Sequence, residues 1–205
     1  PEVVETAVSQ NGLALKFALG DAKKNRVIVM IAVSQNGLAF EFADKDLKND
    51  FAVVTIAVSR NVLALQFASD DAKKDPKVVK AAVRLDGNAL QFAHVDLRKE
   101  TVVAKAAVSQ TGMALQFAHG DIRKDPKIVK IAVRLDGLAL RYACVDLKND
   151  LTVVKIAVSQ NGFALEFASG DAKKDPKIVK IAVQQSNERL WRCHKRTQSL
   201  SPLLP

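Results

Sequence analysis

The sequence predicts an all-α solenoid or superhelix of tandem 25-residue repeats, each made of two short helices plus a short connecting turn. Three observations carry that prediction. The dipeptide Ala-Val begins at Ala7, Ala32, Ala57, Ala82, Ala107, Ala132, Ala157 and Ala182, always 25 residues apart and with no insertion. Within each copy the apolar residues fall at helical spacing. Helices this short are marginal alone, and their apolar surface finds shelter only against the adjoining copy.

The alanine of each Ala-Val pair is register position one. Seven full copies then run over residues 7–181, within a single array spanning 1–183. Position eleven is aromatic throughout: Phe17, Phe42, Phe67, Phe92, Phe117, Tyr142 and Phe167. Position fifteen is always Asp, and all nine glycines fall at positions six and fourteen. A 50-residue period lies over the first: odd copies carry stretches such as Asp71-Ala72-Lys73-Lys74-Asp75-Pro76, whereas even copies carry Asp96-Leu97-Arg98-Lys99.

The elements follow in order from residues 75–99. Asp75-Pro76 is a helix start, because Asp accepts the free N–H groups of the first turn and Pro lacks one. Val78, Val79, Ala82 and Val83 continue at helical spacing, so the first helix is expected over Pro76–Leu85. Asp86-Gly87 is expected to end it, with the glycine in the left-handed region usual past a helix C-terminus. A second helix is expected over Asn88–His94, since two alanines per copy favour helix over strand. Asp96–Lys99 then forms the connecting turn. Val62 tests the glycine reading, because it stands where the other six copies have Gly. Either that copy is distorted by a β-branched residue at positive φ, or the glycine serves close packing.

Composition excludes several classes. Apolar residues make up 48% of the 205, too many for a disordered chain. No stretch approaches the roughly 18 apolar residues of a membrane-spanning helix. Two cysteines make no disulfide framework. The sequence begins at Pro1 rather than Met, which predicts a fragment or a processed form.

The repeat resembles the domain-of-unknown-function family 4116, whose unit reads Ala-Val-x-x-Asn-Gly-x-Ala-Leu-x-(Phe/Tyr)-Ala-Ser-x-x-Leu-Lys-x-Asp-x-x-Val-Val. Ala157 to Val179 reproduces nearly all of it, as does Ala32 to Val54. The resemblance implies a helical tandem repeat and carries no activity and no functional residues with it. Copies one, three and seven depart at Ala22, Ala72 and Ala172, where the pattern has Leu. The pattern stops after Val183, and residues 184–205 are expected to be a divergent tail, either disordered or read in a shifted frame.

The chemical signals are sparse. Three His in all, no Gly-x-Ser-x-Gly and no phosphate loop predict that the chain is not an enzyme and holds no cofactor. His94, His119 and Cys144 share position thirteen in consecutive copies. Stacked helices place them about 8–10 Å apart, too far for one metal ion, so no metal site is expected. Residues 1–183 hold 27 basic and 21 acidic side chains. Lys80, Lys105, Lys130, Lys155 and Lys180 form a ladder at position twenty-four, with a second ladder (Lys23, Lys48, Lys73, Arg98, Arg123, Lys148, Lys173) at position seventeen.

Position ten varies on a constant core, reading Lys16, Glu41, Gln66, Gln91, Gln116, Arg141 and Glu166; position thirteen varies likewise through His94 and His119. These residues are the candidate partner-contact surface, three apart on one edge of the second helix. The reading that follows is a non-catalytic scaffold or accessory subunit contacting protein partners. A repeat-based RNA or DNA binder using the basic ladders is the runner-up.

Overall fold

In a computed structural model of the chain, the structure describes residues 2–186. Among them there is no strand, and the fold is an all-α solenoid of tandem repeats. The long helices are α1 (Glu2–Gln10), α2 (Arg26–Gln35), α3 (Phe51–Arg60), α5 (Pro76–Leu85), α7 (Thr101–Gln110), α8 (Pro126–Leu135) and α10 (Leu151–Gln160). Residues 176–186 are helical at the same register. The tail expected to diverge lies, from residue 187 onward, outside the described residues.

The first helix of the repeat forms as expected, over Pro76–Leu85. The Asp75 carboxylate accepts from the N–H groups of Lys77 and Val78 at 2.7 and 3.1 Å. Asn25, Asp50, Asp125, Asp150 and Asp175 cap their helices in the same way. At Asp50 a second partner joins, the Arg26 guanidinium 2.7 Å away. That bond, helped by the N–H groups of Val53 and Ala52, holds the Asp50 carboxyl below its ordinary value against the opposing effect of burial. A carboxylate with a lowered folded pKa stabilises above the unfolded value and loses that contribution as pH falls through the folded one. Asp50→Ala is therefore expected to lower stability by about 1 kcal/mol at neutral pH. Paired urea melts should show the gap closing under acid; an unchanged gap contradicts the capping account.

The second helix differs from expectation. It is a 3₁₀ helix of six residues, Gly87–Phe92, repeated at Gly37–Phe42, Gly137–Tyr142 and Gly162–Phe167. The Asn or Asp at position five sets it in six of the seven copies, and Thr111 stands there in the other. Asn36 gives its N–H to the Ala32 carbonyl at 2.9 Å, closing α2. Its side-chain oxygen then accepts from Leu38 N at 3.0 Å, and its carbonyl accepts from Ala39 N at 2.9 Å. One extended residue ends one helix and starts the next, so the chain turns without any left-handed residue.

Glycine at position six consequently serves close packing, the second of the two readings that Val62 left open, and not a left-handed turn. Positive φ occurs only at Gly20 and Gly170 among the described residues, both at position fourteen. At Gly137 an added Cβ would overlap the carbonyl oxygen of Ala157 and sit 3.1 Å from the Asn161 Cβ. Gly12, Gly37, Gly112 and Gly162 meet Ala32, Ala57, Ala132 and Ala182 in the same way. The glycine lets one copy's 3₁₀ helix lie against the long helix of the next. Val62 adopts no positive φ. Its side chain stands at the junction with the following copy, where the other six copies carry no side-chain atom.

The connecting turn is itself helical in most copies. It forms single α turns at α4 (Asp70–Lys74), α6 (Val95–Lys99) and α9 (Val145–Asn149), and 3₁₀ turns at Leu47–Asn49 and Ile122–Lys124. Ala72 and Ala172, shorter than the family's Leu, are still fully buried there.

Two compact units divide the described chain: Pro1–Gln110 with Phe117–His119, and Thr111–Gln116 with the described part of Gly120–Pro205. In the first, α1, α2, α3, α5 and α7 stack in sequence; in the second, α8 packs on α10. The core of each is the same set of register positions, for example Val129, Ala132, Val133, Ala139 and Leu140, all at 0% exposure. Phe40 fills the place held elsewhere by Leu65, Leu90 and Leu140.

Candidate interaction surfaces

The position-ten row lies on the outer side of the 3₁₀ helices. Lys16, Glu41, Gln66, Gln91, Arg141 and Glu166 are exposed and Gln116 is half-buried. Position seven, three residues earlier and so one turn away, adds exposed apolar groups: Leu63 is 46% exposed and Phe163 57%. The aromatics of position eleven, expected on the apolar side, are half-buried in every copy but the first, where Phe17 is exposed. Arg141 lays its guanidinium 5.8 Å from the Phe167 ring centre and 5.9 Å from that of Tyr142. The varied row thus borders a half-covered aromatic row.

Position thirteen does local work that the sequence did not reveal. It lies beyond the 3₁₀ helix, and in three copies its side chain caps the short third element. Ser69 Oγ accepts from Ala72 N at 3.1 Å, Asp44 from Asp46 N at 3.1 Å, and His94 Nδ1 from Asp96 N at 3.4 Å. Its own N–H joins copies: His94 donates to the Lys73 carbonyl and His119 to that of Arg98, both at 3.0 Å. Asp and Ser at this position are capping types, a signal the sequence did contain. His94 also meets Asp96 at 3.0 Å.

The two basic ladders separate. In odd copies the position-seventeen cation reaches back seven residues to close the 3₁₀ helix. Lys73 Nζ donates to the Gln66 carbonyl at 2.8 Å and Lys173 to that of Glu166 at 2.9 Å. Lys23 and Arg123 make the same bond to Lys16 and Gln116. These cations serve the repeat's own backbone. The position-twenty-four ladder stays on the outer side of the long helices, with Lys105, Lys155 and Lys180 exposed and Lys80 and Lys130 half-buried. The sequence reading passed over the partners of that ladder on the same helices, Lys77, Arg84, Lys127, Arg134 and Lys177, although their i, i+3, i+7 spacing was visible.

Among the described residues no group of three or more His, Cys, Asp or Glu converges on one point. No helix there is long and apolar enough to cross a membrane.

Short helices stacked copy on copy, with a constant interior and a changing exterior, define a helical tandem-repeat protein. Six stretches of the chain, residues 1–48, 25–71, 50–98, 103–148, 128–172 and 150–196, match the family described as Domain of unknown function (DUF4116). The chain belongs to that family. No curated protein and no solved structure matches it.

Proposed function

We propose that this chain is a non-catalytic repeat protein, a protein–protein interaction scaffold or an accessory subunit of a larger assembly. The observation that carries this reading is the exposed position-ten row, whose charge changes from Lys16 to Glu41 to Gln66 while the residues beneath stay constant and buried. Exposed Leu63 and Phe163 beside that row supply the apolar contact that interfaces use. Repeat arrays present such rows as long binding surfaces.

The test is quantitative affinity capture with the full chain, set against a variant carrying Gln66→Glu, Gln91→Glu, Arg141→Glu and Glu166→Arg. Captured proteins should fall by about fivefold or more on the variant, as loss of central interface contacts does. A capture set that the variant leaves unchanged, or nothing enriched over bare resin, overturns the reading.

A further inference from the structure

The long helices after the first carry no carboxylate. In α2, α3, α5, α7, α8, α10 and residues 176–186 there is no Asp or Glu. On α5, Lys77, Lys80 and Arg84 stand at i, i+3 and i+7, on the side opposite the buried Val78, Val79, Ala82 and Val83. On α8, Lys127, Lys130 and Arg134 repeat the arrangement opposite Ile128, Val129, Ala132 and Val133. α7 packs on α5 and adds Lys105, while α10 packs on α8 and adds Lys155. Each compact unit therefore bears its own patch of cations. None of these eight side chains takes part in an ion pair among the described residues.

Aliphatic side chains flank both patches. Leu85 and Val102 are 59% and 64% exposed beside the first, and Leu135 and Leu151 are 49% and 51% exposed beside the second. No aromatic residue occurs on α5, α7, α8 or α10.

We infer that each patch docks an acidic, amphipathic segment of a partner protein, with carboxylates on the Lys and Arg rows and aliphatic side chains against the leucines. Charge alone attracts any polyanion, so the flanking groups decide the class. A nucleic acid would leave Leu85, Val102, Leu135 and Leu151 in water and would find no aromatic platform for its bases. A protein segment that mixes carboxylates with leucines satisfies both features. The proposal deepens the protein-interaction reading by naming the partner's chemistry, and it uses a face that the position-ten variant leaves intact.

The probe is a fluorescein-labelled peptide of about fifteen residues repeating Glu-Glu-Leu, titrated by anisotropy into the full chain at about 0.15 M salt. A peptide with Ser in place of Leu and a uridine oligonucleotide of equal length serve as comparisons. The variant carries Lys77→Glu, Arg84→Glu, Lys127→Glu and Arg134→Glu. A control of equal charge carries Lys24→Glu, Lys45→Glu, Lys74→Glu and Lys174→Glu, all exposed and outside the long helices. The face variant should bind about tenfold or more weakly, with the control within about twofold of the parent. The Ser peptide should bind the parent about fivefold or more weakly than the Leu peptide, a comparison that needs no variant to fold. Absence of peptide binding, equal weakening by the control, equal binding of the Ser peptide, or tighter binding of the oligonucleotide each overturns the proposal. The first three leave the position-ten test standing.

Discussion

Gly137→Ala is expected to destabilise the chain by about 2–4 kcal/mol, although it adds one methyl group and improves helix propensity. The added Cβ would overlap the backbone oxygen of Ala157, and a backbone atom cannot swing aside as a side-chain tip can. The Gln160 Oε1, which accepts from Gly137 N at 2.7 Å, and the Asn161 Cβ close the remaining directions. The two layers must therefore shift to admit it. Gly20→Ala is the matched comparison: its φ is +61°, but nothing lies within 4 Å of the new atom. That change should cost about 1 kcal/mol, the conformational part alone. Urea unfolding of the two variants distinguishes the roles. Equal costs, or a larger one at Gly20, would contradict the close-approach account.

Phe40→Ala is expected to cost about 3–5 kcal/mol, the range for emptying a fully buried aromatic site. Phe40→Leu, the residue that other copies carry there, should cost about 1 kcal/mol. In a repeat array each copy leans mainly on its neighbours. Hydrogen exchange should therefore rise first in α2 and α3, with α10 protected longest. Uniform loss of protection, or a cost near that of the Leu variant, would mean that the layer repacks around the gap.

Much of this fold was legible because it is written several times over. Asp75-Pro76 announced the start of α5, and the period of 25 set the stacking without any knowledge of contacts. Asp86-Gly87 misled for a physical reason. The pair looks like a helix end with a left-handed glycine, but at this position the glycine answers to a carbonyl in the following copy, twenty residues downstream in the described junctions. Local motifs do not carry that relation. The 3₁₀ geometry was hidden as well, since six residues with apolar groups at positions eight, nine and eleven suit a period of 3.0 or 3.6. Of the candidate surface, position ten was placed correctly on the outside. Position thirteen lies on the same edge, and in three copies Asp44, Ser69 and His94 cap a turn there, a local role that spacing alone does not reveal. The reach of the odd-copy position-seventeen cations to a carbonyl seven residues back was not legible, because it leaves no mark in spacing.

The glycine notch also bears on how such a chain can change length. Where a notch receives the next copy's alanine, one junction resembles another, so whole units can be spliced out or duplicated and the flanking pieces still mate. A single-residue insertion within a long helix has no such freedom, because it turns the rest of that helix by about 100° and takes its apolar side chains off the neighbouring copies. Val62 puts a side chain where the other six copies have none, so its junction differs from the rest at this position.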